Sequence, residues 1–163
     1  HAEEAVWSAV LATFVTDSTR QIIVVDSARA LPARIFGFQE LARRFPELSE
    51  EFIQRYIEAN ANGRYVPSFA DFLIPVVRVD SIGLAQFQDA GNPDEYWEAF
   101  YSVYPGTPGL IRLFRVGFDE QRRRALVFVS RACGGRCGCG SYFLLSESGG
   151  AWMVDESSVA ICS

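Results

Sequence analysis

Apolar positions first recur at helical spacing. Trp7, Val10, Leu11 and Phe14 stand at i, i+3, i+4 and i+7, which puts them on one stripe of a helix over 3–15 that packs as an outer layer. The period then changes. Gln-Ile-Ile-Val-Val at 21–25 is a continuous β-branched run, as expected of a short strand buried on both faces, and Asp26-Ser27 closes it. Pro32 and Gly37 interrupt the next segment, so only 38–45 reads as a short helix, stopped by Pro46. Ser49 stands where an N-cap belongs, with Glu50 and Glu51 at the positive end of the helix dipole. Phe52, Ile53, Tyr56 and Ile57 form that helix's apolar stripe, and Gly63 ends it. Residues 64–72 read as a loop or a short helix around Phe69 and Phe72. A second strand is expected over 74–79, with Pro75 marking an edge or a strand start.

Asn92-Pro93-Asp94-Glu95 opens another helix, combining a cap, a proline at the first helical position and two first-turn acids. Tyr96, Trp97, Phe100, Val103 and Tyr104 follow, and Pro105-Gly106-Thr107-Pro108-Gly109 stops it. From there the pattern predicts an antiparallel meander of about four strands, at 110–118, 124–132, 141–147 and 151–161, separated by turn signals. Both of its faces are apolar. Leu110, Phe114, Val116 and Phe118 are expected on one side and Ile111 and Leu113 on the other, with one arginine, Arg112 or Arg115, on each. A sheet of this kind is covered on both sides, by the N-terminal helices and by loops or a second subunit, which makes a homodimer an expectation. The fold class is α+β: the meander extended by N-terminal strands, with helices packed mainly on one face. The chain of 163 residues suits one domain, mostly helical over 1–108 and a meander over 109–163, large enough to bury roughly 70% of its unfolded surface.

Between two of these strands lies Cys133-Gly134-Gly135-Arg136-Cys137-Gly138-Cys139-Gly140, too rich in glycine for a helix or a regular strand interior. Cys133 and Cys137 are spaced so that a curled loop can bridge them. A hairpin turn at Ser148-Gly149-Gly150-Ala151 pairs residues whose numbers sum to about 299, leaving Cys139 within about two positions of Cys162. One bulge would bring them opposite. Two bridges are therefore expected, Cys133 to Cys137 and Cys139 to Cys162, out of the three pairings that four cysteines allow. Chain-entropy reasoning assigns them about 2 and about 3.5 kcal/mol. Paired cysteines around glycine turns point to an oxidising compartment outside the cytoplasm. No signal-peptide pattern opens the chain, so an exported protein would be present here in its mature form.

Charge and missing residue types exclude several chemistries. The net charge of -5, without a basic stripe, argues against nucleic acid; Arg122-Arg123-Arg124 reads as a solvated turn. No apolar run reaches the ~18 residues of a membrane span. All fifteen basic residues are arginine, so there is no lysine for a Schiff base, a pyridoxal anchor or a phosphate-binding loop. The single histidine is His1, a position that ordinarily frays, which removes serine–histidine and cysteine–histidine catalysis. Copper chelation by that terminus lacks a second histidine, and an added or processed terminus explains it better. No cofactor and no metal are expected.

The C-terminal half carries a pattern of its own: Tyr104-Pro105-Gly106, Arg115-Val116-Gly117-Phe118-Asp119, Ala125-Leu126-Val127-Phe128-Val129-Ser130, then the cysteine loop, Leu144-Leu145 and Trp152. It resembles a group of uncharacterised bacterial proteins, many of them exported, over roughly residues 97–163. The resemblance implies a bacterial origin and a periplasmic or secreted location, and it brings no activity. Cys139 and Cys162 depart from that pattern, where a glycine and an apolar residue are expected.

The functional reading that follows is a non-catalytic envelope or secreted protein that binds a protein or small ligand through the stapled loop. Arg136 within the loop, with Arg115, Tyr142 and Trp97 around it, are the candidate contact residues. Three other readings compete. Thiol–disulfide exchange by Cys133 and Cys137, with Cys139 as a third thiol, suffers from three intervening residues and the lack of a helix N-terminus. Zinc held by four cysteines would need spacings that C-x3-C-x-C does not supply. A carboxylate hydrolase of the envelope needs neither histidine nor lysine, and would use two of Asp26, Asp71, Asp80, Asp119 and Asp155.

Overall fold

The computed structural model describes residues 2–29 and 37–162; His1 and Pro32 lie outside the described residues. In chain order these form helix α1 (Ala2–Ala12), strands β1 (Ile22–Val25) and β2 (Ser27–Ala28), helices α2 (Phe38–Arg44) and α3 (Glu50–Ala59), and strands β3 (Arg64–Tyr65) and β4 (Val76–Val79). Helices α4 (Ser81–Ala85) and α5 (Pro93–Val103) follow, then strands β5 (Leu110–Leu113), β6 (Gly117–Phe118), β7 (Arg124–Gly134), β8 (Cys137–Ser148) and β9 (Ala151–Cys162). The caps read from the sequence are in place: Ser49 Oγ accepts from the Phe52 amide and Asn92 Oδ1 from the Glu95 amide. Helix α4 has no sequence signature, being five residues long with Gly83 inside it; Asp80 starts it by accepting from the Gly83 amide at 2.7 Å.

One seven-stranded mixed sheet runs in the order β4-β1-β5-β7-β8-β9, with β6 also paired to β7. Strand β1 lies parallel to β4 and β5, and every pairing from β5 onward is antiparallel. Strand β4 forms one edge, as the neighbouring Pro75 suggested, and its Pro75 carbonyl accepts from Ile22. The fold is α+β, with the C-terminal meander as its largest part.

Alternation along the strands divides the core. Ile22, Val24, Ile111, Leu113, Ala125, Val127, Val129, Phe143 and Leu145 face α1, whose Val6, Trp7, Val10 and Leu11 are fully buried against them. On the opposite face Leu126, Phe128, Tyr142 and Leu144 meet α2 and α3, while Ile23, Val25, Val79 and Leu110 meet α4 and α5. Each such large side chain contributes about 1.5–3 kcal/mol on leaving water. The chain's own helices thus cover both faces over β1, β5, β7 and β8, while the edge strand β9 stays largely exposed.

Two irregularities correct the expected meander. The strand foreseen over 110–118 breaks at Phe114-Arg115-Val116, and the break reverses the alternation: Val116 and Phe118 join Ile111 and Leu113, while Leu110 and Phe114 face the other way. The backbone groups of the break find side-chain partners. Trp7 Nε1 donates to the Phe114 carbonyl (2.9 Å), Asn60 exchanges hydrogen bonds with both Arg115 backbone groups (2.9 and 3.1 Å), and Glu3 accepts from the Val116 amide (3.1 Å). Gly117 follows because a Cβ there would stand 2.5 Å from the Tyr56 Cα of α3. The second irregularity is in β9. Its pairing with β8 starts at Ser148↔Ala151 and ends at Cys139↔Cys162 after two register shifts, one near Asp155 and one near Ala160. Two bulges, where one was expected, bring the cysteines opposite.

Candidate functional site

Strands β7 and β8 join through the two-residue turn Gly135-Arg136, and the register shifts at Cys133 so that Gly134 pairs with Cys137. This brings the Cα atoms of Cys133 and Cys137 to 5.0 Å, joined by a disulfide. Cys139 and Cys162 are direct cross-strand partners with Cα atoms 4.1 Å apart, also joined. The same pairings were expected from the spacing.

The tip rests on α5. Tyr101 Oη donates to the Cys133 carbonyl at 2.8 Å, and a Cβ on Gly135 would lie 3.6 Å from Asp94 Oδ1 in the helix's first turn. Trp97 is half-buried on this helix, with ring centroids 5.4, 5.2 and 5.8 Å from those of Tyr96, Phe100 and Tyr101. Arg136 projects as an exposed cation at the apex. A fixed loop with an exposed guanidinium beside an aromatic ledge presents a shape and a charge. It presents no nucleophile, since all four sulfurs are in bridges.

The other two candidate contact residues are elsewhere. Tyr142 is fully buried under α2 and α3, because strand alternation places it with Leu144 on that inner face. Its ring meets Phe45, Tyr56 and Phe128, and the Arg44 guanidinium lies 5.7 Å above it. Burial pushes its phenol well above the usual tyrosine range and does the same to Tyr56, whose hydroxyl it faces. Arg115 is held at the strand break, its Nε donating to Glu3 Oε1 at 2.9 Å. Glu3 is buried and also pairs with Arg64 at 2.5 Å, so one carboxylate serves two guanidiniums and an amide. Glu3 and Asn60 escape sequence reading, because a first-turn acid and a helix-end asparagine have ordinary local explanations.

The carboxylates mostly have local structural work. Asp119 accepts from the Arg123 and Arg124 amides in its turn, and Asp155 accepts from Ser146 Oγ. Asp71 is exposed. Only Asp26 and Asp80 come together, lining a depression of about 430 Å³ with Tyr65, Arg78 and Tyr104 where β1 and β4 end. Within it Asp80 caps α4, and Arg78 stacks on Tyr65 while donating to the Val66 carbonyl.

Among the described residues no three His, Cys, Asp or Glu side chains are grouped to hold a metal, and no helix is long and apolar enough to cross a membrane. Comparison with protein-family models, with curated proteins and with solved structures finds no match to the chain.

Proposed function

We propose that the protein works in an oxidising compartment outside the cytoplasm, periplasmic or extracellular, as a non-catalytic binding protein. Its recognition surface is the hairpin tip formed by Gly134, Gly135 and Arg136 with Trp97 alongside. One observation carries this reading: both disulfides lie at the same end of β7, β8 and β9, where the tip is also tied to α5 through Tyr101. A loop held in this way loses little conformational entropy on binding, and such preorganisation favours affinity. The absence of lysine and of an internal histidine removes the commonest nucleophilic and general-base machinery. The three residues between Cys133 and Cys137, and their setting in a β-hairpin, speak against thiol–disulfide exchange.

The test places a photocrosslinking residue at Arg136, and at Gly149 in the opposite turn as a control, in cells that export the protein. A discrete adduct from position 136 and none from 149 supports the reading; equal labelling, or none from either, removes it. Mass spectrometry without reductant tests the compartment, since two bridges lower the mass by four hydrogens and free thiols would contradict it. A carboxylate hydrolase stays as a second reading because Asp26 and Asp80 share one depression. Loss of a measured glycan-hydrolysing activity in Asp26→Asn would favour it.

A further inference from the structure

Among the described residues the ion pairs gather on two acids, Glu3 with Arg64 and Arg115 and Glu40 with Arg43 and Arg44. The depression of about 430 Å³ where β1 and β4 end is arranged otherwise. Asp26, Asp80 and Arg78 all line it, yet among the described residues no ion pair joins either acid to the arginine. Opposite charges share one small space and stay apart.

Each group's other commitments explain the separation. The Arg78 guanidinium is held by neutral oxygens: it donates to the Tyr65 hydroxyl and, at 2.9 Å, to the Val66 carbonyl, and it lies 4.6 Å from the centre of the Tyr65 ring. Asp80 gives one oxygen to the Gly83 amide and keeps the other open. Asp26 stands on the neighbouring strand, two residues beyond Val24, the register partner of Arg78. It is half-buried, and among the described residues its carboxylate has no hydrogen-bond or ion-pair partner. Its backbone is fixed on both sides, the amide donating to the Val79 carbonyl at 3.0 Å and the carbonyl accepting from the Val66 amide at 2.8 Å. Tyr104, the C-cap of α5, also lines the depression and brings the negative end of that helix to it; the last turn of α5 has no basic residue to offset this. One wall therefore favours a positive group, and Arg78 retains N–H groups for a negative one.

We propose that this depression binds a small zwitterion of the α-amino-acid class, its ammonium on Asp26 and Asp80 and its carboxylate on Arg78. The rest of the lining, Val79 and the rings of Tyr65 and Tyr104, is largely apolar, which suits an apolar side chain on the ligand. The volume falls within the ~300–1,000 Å³ of small-molecule sites. The site is separate from the hairpin tip, and the failure of either reading leaves the other standing.

Titration calorimetry with L-leucine, L-leucinamide and N-acetyl-L-leucine tests it on the oxidised protein. The amide lacks the carboxylate and the acetyl derivative lacks the ammonium. One L-leucine per chain is expected, with each analogue weaker by about ten-fold or more, as loss of a charge-assisted hydrogen bond predicts. Asp26→Asn should weaken L-leucine by a similar factor and leave N-acetyl-L-leucine unchanged, while Met153→Ser, at the far edge of the sheet, binds as the parent does; circular dichroism confirms that each variant is folded. The proposal is overturned if L-leucine gives no heat, if either analogue binds as well as L-leucine, or if folded Asp26→Asn binds it unchanged. A glycan-hydrolysing activity without L-leucine binding would overturn it too, while upholding the hydrolase reading of the same depression.

Discussion

The sheet loses its regularity in two places, and the two are secured by different chemistry. At the break over 114–116 the unpaired backbone is interior, and its partners come from Glu3, Trp7 and Asn60, up to 113 residues distant in sequence. In β9 the bulges lie on the sheet edge, where unpaired groups reach solvent, and a covalent bridge between Cys139 and Cys162 fixes the register. A buried irregularity demands a specific acceptor for every orphaned donor. An exposed one needs only a constraint on which residues face each other.

Glu3→Ala is expected to have the largest effect, because it removes the one carboxylate that accepts from the Arg64 and Arg115 guanidiniums and from the Val116 amide in a mostly buried setting. Breaking such a network costs about 3–5 kcal/mol, read as a lower urea midpoint. A loss under 1 kcal/mol would mean that the break is secured by Trp7 and Asn60 alone. Converting Cys139 and Cys162 to serine should cost about 3.5 kcal/mol, roughly 7–14 °C in Tm for a chain of this size, with the break undisturbed. Hydrogen exchange at the amides of Arg115 and Val116 separates the two: it rises in Glu3→Ala and stays slow in the double serine variant.

This difference also governs how much could be read from the chain. The edge was legible: four cysteines, a Ser-Gly-Gly turn and period-2 alternation gave the bridging pairs, and only the number of bulges was missed. The helices with caps were legible for the same local reason, Ser49 and Asn92 each satisfying an amide three residues on. The break was not, because nothing within 110–118 announces it; its cause is a carboxylate at position 3. Arg115 reads from the chain as a charge in an apolar strand and so as a surface contact, because its partner Glu3 lies 112 residues away. Tyr142 is a similar case: its nearness to the loop in sequence suggests a contact residue, and only the packing of α2 and α3 shows that its face is closed. At the candidate site the sulfurs, Arg136 and Trp97 were visible in advance, whereas the anchoring hydroxyl of Tyr101 was not.

The two regions meet at Tyr56 and Tyr142, one beneath the break and one on β8. Burial raises both phenols above the ordinary tyrosine pKa of about 10. A raised folded-state value favours the neutral form, so this contribution is complete below pH ~10 and is lost as pH climbs towards the folded values. Unfolding in alkali should therefore bring phenolate absorbance and loss of the near-ultraviolet signal together, whereas Tyr142→Phe shifts that transition to higher pH. Phenolate appearing well before unfolding would show that the junction admits water.

Deleting a single residue at each irregularity gives the finest comparison. Ala160 is the extra residue of one bulge: Ser141 pairs with Val159 and Gly140 with Ile161, so its removal leaves Cys139 opposite Cys162. The bridge should form as before, and the cost should be smaller than loss of the disulfide, confined to the packing of Ala160 against the cluster under α2. Deleting Arg115 instead lets regular alternation keep Val116 and Phe118 on the α1 face, but it removes the residue that holds both Asn60 hydrogen bonds and one of the two guanidiniums on Glu3, so it should cost more than the Ala160 deletion. If the Ala160 deletion abolishes the bridge while the Arg115 deletion costs less than it, the roles of edge and interior are the reverse of those argued from their hydrogen bonds.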